Sequence, residues 1–152
     1  MEIALMLVAA TGCLLVGGLV MNDPPLNDPP GFWVRLKTYL TSNVAETRRD
    51  HPFPELELRT YLLPPERLLG SVERALIILD WELVEVDPQQ RALHAVVSTP
   101  LFKFKDDVEV RLVPERRGTE LHIRSASRLG VGDLGANTRH ILNLLATLEN
   151  LP

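Results

Sequence analysis

The residues of this chain best suited to chemistry sit where an apolar pattern breaks. Along residues 101–113, LFKFKDDVEVRLV, Phe102, Phe104, Val108, Val110 and Leu112 alternate with Lys103, Lys105, Asp107, Glu109 and Arg111, which is the two-residue period of a strand. Asp106 breaks the pattern by taking the apolar phase. In the next stretch, TELHIRSASRL, Leu121 and Ile123 share their phase with Ser125 and Ser127. A register symmetric about the turn ERRG sets Asp106 opposite Ser127. One carboxylate and two hydroxyls then make a polar notch in an apolar sheet. A buried carboxylate there must be hydrogen-bonded, ion-paired or protonated. The notch reads either as a small binding pocket beneath the last helix, or as a bulge where Asp106 anchors a turn or pairs with Arg128.

Catalysis needs more than suitable residue types. Ser125 or Ser127, with His122 or His140 and an aspartate, would supply a triad, yet no nucleophile elbow or oxyanion-hole glycine pattern accompanies them. Asp106 and Asp107 are strand neighbours that point to opposite faces, so they do not form an acid–base pair. The four histidines show no HxH, HxxxH or HExxH spacing, and Cys13 is the single cysteine. Neither a metal site nor an intramolecular disulfide is expected. The glycines of GVGDLG are too loosely patterned for a phosphate cradle. The expectation is a non-enzymatic chain with no cofactor.

Arg124 and Arg128 share the charged phase with Lys103, Lys105 and Arg111. They make a solvated face or, because Arg128 precedes a glycine turn and a helix start, an anion or lipid-headgroup site. Asp133 reads as that helix's N-cap, with Gly135 and Asn137 completing the first turn.

The elements that must position these groups follow from periodicity. Residues 54–150 read as a strand (LELRTYL), a helix (PPERLLGSVERALIILD), two strands (WELVEVD and RALHAVVST), the two strands above, and a closing helix (LGANTRHILNLLATLEN). Leu68, Leu69, Val72, Leu76 and Leu79 form the first helix's apolar stripe, and its leading proline is tolerated in the first turn. Strands joined by short turns pair antiparallel. The predicted class is α+β: a curved antiparallel sheet of about five strands with two helices on one face, in β-α-β-β-β-β-α order.

Upstream, residues 3–21 carry no charge and are long enough to cross the ~30 Å hydrocarbon core of a bilayer. No Lys or Arg precedes them, unlike a signal peptide. Residues 1–21 are therefore expected to be a transmembrane anchor. Ala9, Cys13 and Gly17 lie on one face of it, where a neighbouring helix could pack closely. NDPPLNDPP reads as a semi-rigid stalk. GFWVRLKTYL reads as a helix, either in the membrane interface with Trp33 at headgroup depth or packed on the domain. TSNVAETRRDHPFPE reads as a connector, so residues 22–53 are expected to be a spacer. The net charge of −4 and pI near 5.6 argue against a nucleic-acid partner.

FKFKDD, RSASR and DLGANTRHI, in that order, resemble the domain of unknown function 1499 family of bacteria and plastids, over roughly residues 53–148. The match runs through Arg124, Ser125, Ser127, Arg128, Asp133, Gly135 and Asn137. His140 stands where arginine is expected, and LTSNVAETRRD replaces a cysteine-bearing segment that many members carry. The resemblance implies a membrane-associated or exported domain with no established chemistry. Together these features predict a single-pass protein of a bacterial inner membrane. Arg35 and Lys37 after the span lean its domain weakly toward the cytoplasm. It would be an accessory subunit or assembly factor in contact with membrane lipid and other membrane protein subunits. The alternative is a lipid or small-amphiphile carrier with a cavity lined by Val108, Val110 and Ile123. A hydrolase using Ser127 is the third reading.

Overall fold

Two-residue alternation builds the sheet of this protein, and helical stripes build the layer that covers it. The computed structural model describes residues 2–99 and 103–151, with side chains from residue 12 onward. Phe102 and the side chain of Ala9 lie outside the described residues.

In chain order the elements are α1 (Glu2–Asn22), α2 (Phe32–Thr41), β1 (Val44–Glu46), a 3-10 turn (Pro54–Leu56), β2 (Arg59–Tyr61), α3 (Pro65–Ile78), β3 (Glu82–Asp87), β4 (Ala92–Ser98), β5 (Lys105–Glu115), β6 (Gly118–Ser127) and α4 (Ala136–Glu149). The strands form one antiparallel sheet in the order β1-β6-β5-β4-β3. β2 also pairs with β6, against residues 119–121, while β1 takes residues 124–126.

Leu93, Ala95 and Val97 of β4, Val108, Val110 and Leu112 of β5, and Leu121 and Ile123 of β6 point to one side and are buried. They meet Leu68, Leu69, Val72 and Leu76 of α3 and Ile141, Leu144, Leu145 and Leu148 of α4 in one cluster. Truncating one of these leucines to alanine would cost about 2–5 kcal/mol, from lost apolar burial and the cavity left behind. α3 ends where Asp80 takes a left-handed φ of 56° and the Trp81 N–H donates to the Leu76 carbonyl at 3.0 Å. That close turns the chain back toward the sheet.

Three expectations need correction. The sheet has six strands rather than about five, because β1 lies in the segment read as a connector. Residues 22–53 are also no free spacer. Tyr39 and Phe53 belong to the core, Leu26 packs against it, and Arg35 is buried between α2 and the turn at Glu55. The Arg35 guanidinium makes a two-pronged pair with Glu55 at 2.6 and 2.9 Å, donates to the carbonyls of Asp28 and Pro29, and stacks over Phe53. Prolines that would stiffen a stalk are thereby folded back onto the domain. LELRTYL, expected to be one strand, supplies only the short β2, because Pro54 starts a 3-10 turn.

α1 is helical from Glu2 to Asn22. Among the described residues, no helix is long and apolar enough to cross a membrane. The first half of the uncharged run has its side chains outside that set.

Candidate functional site

β5 and β6 pair without a register shift, and Asp106 faces Ser127 across them. Asp106 is buried at 1 % exposure rather than thrown out at a bulge. Its partner comes from α4: His140 Nε2 lies 2.8 Å from Asp106 Oδ2. The Trp81 ring, delivered by the close of α3, packs edge-on against His140 with centroids 5.7 Å apart. A buried carboxylate is thus held by an imidazole under an aromatic cover.

Beside it the two hydroxyls converge on Asn137, which is fully buried. Ser125 Oγ donates to Asn137 Oδ1 at 2.5 Å. Asn137 Nδ2 donates to Ser127 Oγ at 2.9 Å and to the Asn43 carbonyl at 2.8 Å. The amide therefore uses its acceptor and both donors, tying β6, α4 and the residue before β1 together.

Asp133 was expected at the N-cap position. That position is held by Gly135, in the left-handed region with φ 84°, but Asp133 still does the capping from two residues upstream. Its Oδ1 accepts the Gly135 N–H at 2.8 Å and its Oδ2 the Asn137 N–H at 3.0 Å. Burial pushes the Asp133 carboxyl above the usual range, and the nearby Asp106 charge adds to this. The two N–H donors pull the other way.

The arginines go elsewhere. Arg128 pairs with Asp107, not Asp106, through Nε and Nη2 at 2.8 and 2.7 Å, and His94 Nε2 sits 2.8 Å from the same carboxylate. Arg128 foremost, then His94, hold the Asp107 carboxyl down at about 2. A guanidinium committed in this way makes a poor anion or headgroup site. Arg124 lies 3.7 Å from Glu109 on the face away from the helices. A cleft of about 480 Å³ opens on that face, lined in part by His94, Glu109, Arg111, His122 and Arg124. Among the described residues no cluster of three or more His, Cys, Asp or Glu side chains could hold a metal ion.

The N-terminal helix meets this region as well. Asn22 Nδ2 donates to the carbonyls of Asp133 and Leu134 at 3.3 and 3.1 Å, and Arg139 Nε donates to the Asn22 carbonyl at 2.7 Å. Arg139 also pairs with the Asp23 carboxylate. Gly18 lies so close to the Leu134 side chain that any Cβ there would overlap it, and Pro24 closes over Gly135. Gly17 and Cys13, expected on a face open to a neighbouring helix, take no part in this latch. A Cβ on Gly17 would meet nothing within 4 Å, and Cys13 is exposed. Sequence reasoning missed Arg139, Asn22 and Asn43, whose partners are carbonyls or carboxylates made local only by the fold.

A six-stranded antiparallel sheet backed by two helices, with a third helix latched to the start of α4, defines an α+β domain. The chain belongs to the family described as Protein of unknown function (DUF1499), whose model matches residues 26–148. That match begins well before residue 53 and takes in α2 and β1. No curated protein matches the chain. The crystal structure of CalU16 from Micromonospora echinospora is similar at 16 % identity and a TM-score of 0.41, over 70 % of this chain and 85 % of that one.

Proposed function

We propose that this chain is a membrane-anchored, non-enzymatic accessory module. α1 spans the inner membrane of a bacterium, and the domain fixed to its end binds other subunits of a membrane protein complex. The observation that carries this reading is the latch. Asn22, Asp23 and Gly18 at the end of α1 are joined to Asp133, Leu134 and Arg139 at the start of α4. The motif richest in polar groups holds an apolar helix at a set angle instead of facing a substrate. A domain tied to such a helix stays at the membrane, where its partners must also be. The outer sheet face, with its charged cleft, is the surface assigned to them.

The other two readings draw less support. Val108, Val110 and Ile123 pack with side chains of α3 and α4 in the core, which lends little support to a carrier's cavity between the sheet and the helices. Ser127 Oγ is bonded to Asn137, and the His140 Nε2 atom to Asp106, so neither meets the other as a nucleophile and its base would.

Membranes from cells producing the full chain test the proposal. The chain should stay with them through an alkaline carbonate wash. After gentle solubilisation a membrane protein should elute with it in fixed ratio across preparations. Release by carbonate, or elution always alone, overturns the reading.

A further inference from the structure

The latch also fixes how far the domain can stand from the bilayer. Gly18 lies three residues before Met21, where the uncharged run ends. At the rise of an α-helix this is about 4.5 Å inside that end. Leu134 touches α1 at that level. If residues 3–21 fill the hydrocarbon core, the loop before α4 already reaches the depth of the lipid chains.

What surrounds Leu134 fits that depth. In the same loop Leu129 and Val131 are 68 % and 77 % exposed. The loop is bonded to the end of α2, since the Leu134 N–H donates to the Tyr39 carbonyl at 3.0 Å and the Asp133 N–H to the Ser42 carbonyl at 3.1 Å. Gly132 packs directly on the backbone of Leu40. α2 buries Arg35 and Tyr39 on one side. Trp33, Lys37 and Leu40, spaced for one helical face, lie on the other, with Trp33 78 % and Leu40 39 % exposed. Aliphatic tips beside an exposed indole and a lysine are the side chains that settle at a lipid–water boundary.

We infer that the domain sits directly on the bilayer through Leu129, Val131 and Leu40, with the Trp33 ring among the phospholipid headgroups. This rests on α1 spanning the membrane. It replaces a domain held off on a stalk with one whose floor is lipid. The surface carries Lys37 but also Asp23 and Asp28 nearby in sequence. Apolar insertion rather than charge therefore drives the contact, and zwitterionic phosphatidylcholine, with no net charge, suffices.

The full chain reconstituted into phosphatidylcholine vesicles tests this. Some vesicles carry bromine high on the acyl chain and others carry it near the chain end. The Trp33 signal is the difference between the native chain and Trp33→Phe, which keeps Trp81. High bromines should quench Trp33 several-fold more than deep ones, and Leu129→Glu with Val131→Glu should remove most of that quenching. Both positions are exposed, so the thermal midpoint of the double variant should match the native value.

A carbonate-resistant chain whose Trp33 escapes quenching overturns this inference and leaves the anchor standing. A blue-shifted but unquenched Trp33 together with a cross-linked dimer gives the surface to a second copy, and likewise overturns it. Quenching that persists unchanged when Leu129→Glu and Val131→Glu are combined removes the loop from the contact and overturns it too. Release by carbonate overturns the anchor and this inference together.

Discussion

At the residue scale, two adjacent carboxylates meet opposite conditions because strand neighbours face opposite ways. Asp106 goes inward to His140, which in turn packs against Trp81, while Asp107 goes outward to Arg128 and His94. Removing the imidazole leaves a buried carboxyl without its hydrogen-bond partner. His140→Ala should therefore destabilise the fold by about 2 kcal/mol, read from urea midpoints, and an unchanged midpoint would mean that water already serves Asp106. Asp107 carries a pH signature instead. Its carboxyl is lowered to about 2 in the folded chain, against roughly 3.9 unfolded. Its contribution is whole above the unfolded value and fades as pH falls from about 4 toward 2. Acid titrations of native and Asp107→Asn proteins should differ above pH 4 and converge through that window. The inward aim of Asp106 and its place opposite Ser127 were legible in the sequence, since a period of two and a symmetric hairpin decide both. Its partner was not. His140 comes from a helix 34 positions away, and only the packing angle of α4 brings it there.

At the element scale, most of the order was readable: α3, β3, β4, β5, β6 and α4 announce themselves by stripes, alternation and turn residues. β1 did not, because three residues in a polar stretch carry no period, and its strand character comes from β6. Arg35 was legible only as a charge near a membrane. Its burial depends on Glu55, Phe53 and two proline-segment carbonyls converging around it. Glycine shows how context decides between equal residues. A Cβ on Gly132 would overlap the Leu40 carbonyl, whereas one on Gly70 in α3 would meet nothing within 4 Å. Gly132→Ala should push the loop off α2 and lose two backbone hydrogen bonds, costing about 2 kcal/mol. Gly70→Ala should gain about 0.5–1 kcal/mol from helix entropy. Denaturation of both variants checks the pair, and equal midpoints would contradict the close approach at Gly132.

At the scale of the whole molecule, the question is what sets the angle between α1 and the domain. The contacts joining them are few and partly exposed, so they add little to global stability, yet they converge from both directions on one helix end. Arg139 reaches Asn22 and Asp23, and Asn22 reaches back to Asp133 and Leu134. Stability and orientation should therefore separate. In the double variant Asn22→Ala with Arg139→Ala, unfolding of the domain should change by no more than about 1 kcal/mol, as for other exposed polar pairs. The angle should loosen. Cys13 is exposed and is the single cysteine, so a spin label there and another at Glu109→Cys on the outer sheet face report the distance directly. The native latch predicts one narrow distribution, and the double variant a broad one with the same thermal midpoint. A distribution that stays narrow would shift the orienting role to the apolar contacts of Gly18 with Leu134 and Pro24 with Gly135. Loss of folding would mean that the polar joint is part of the core.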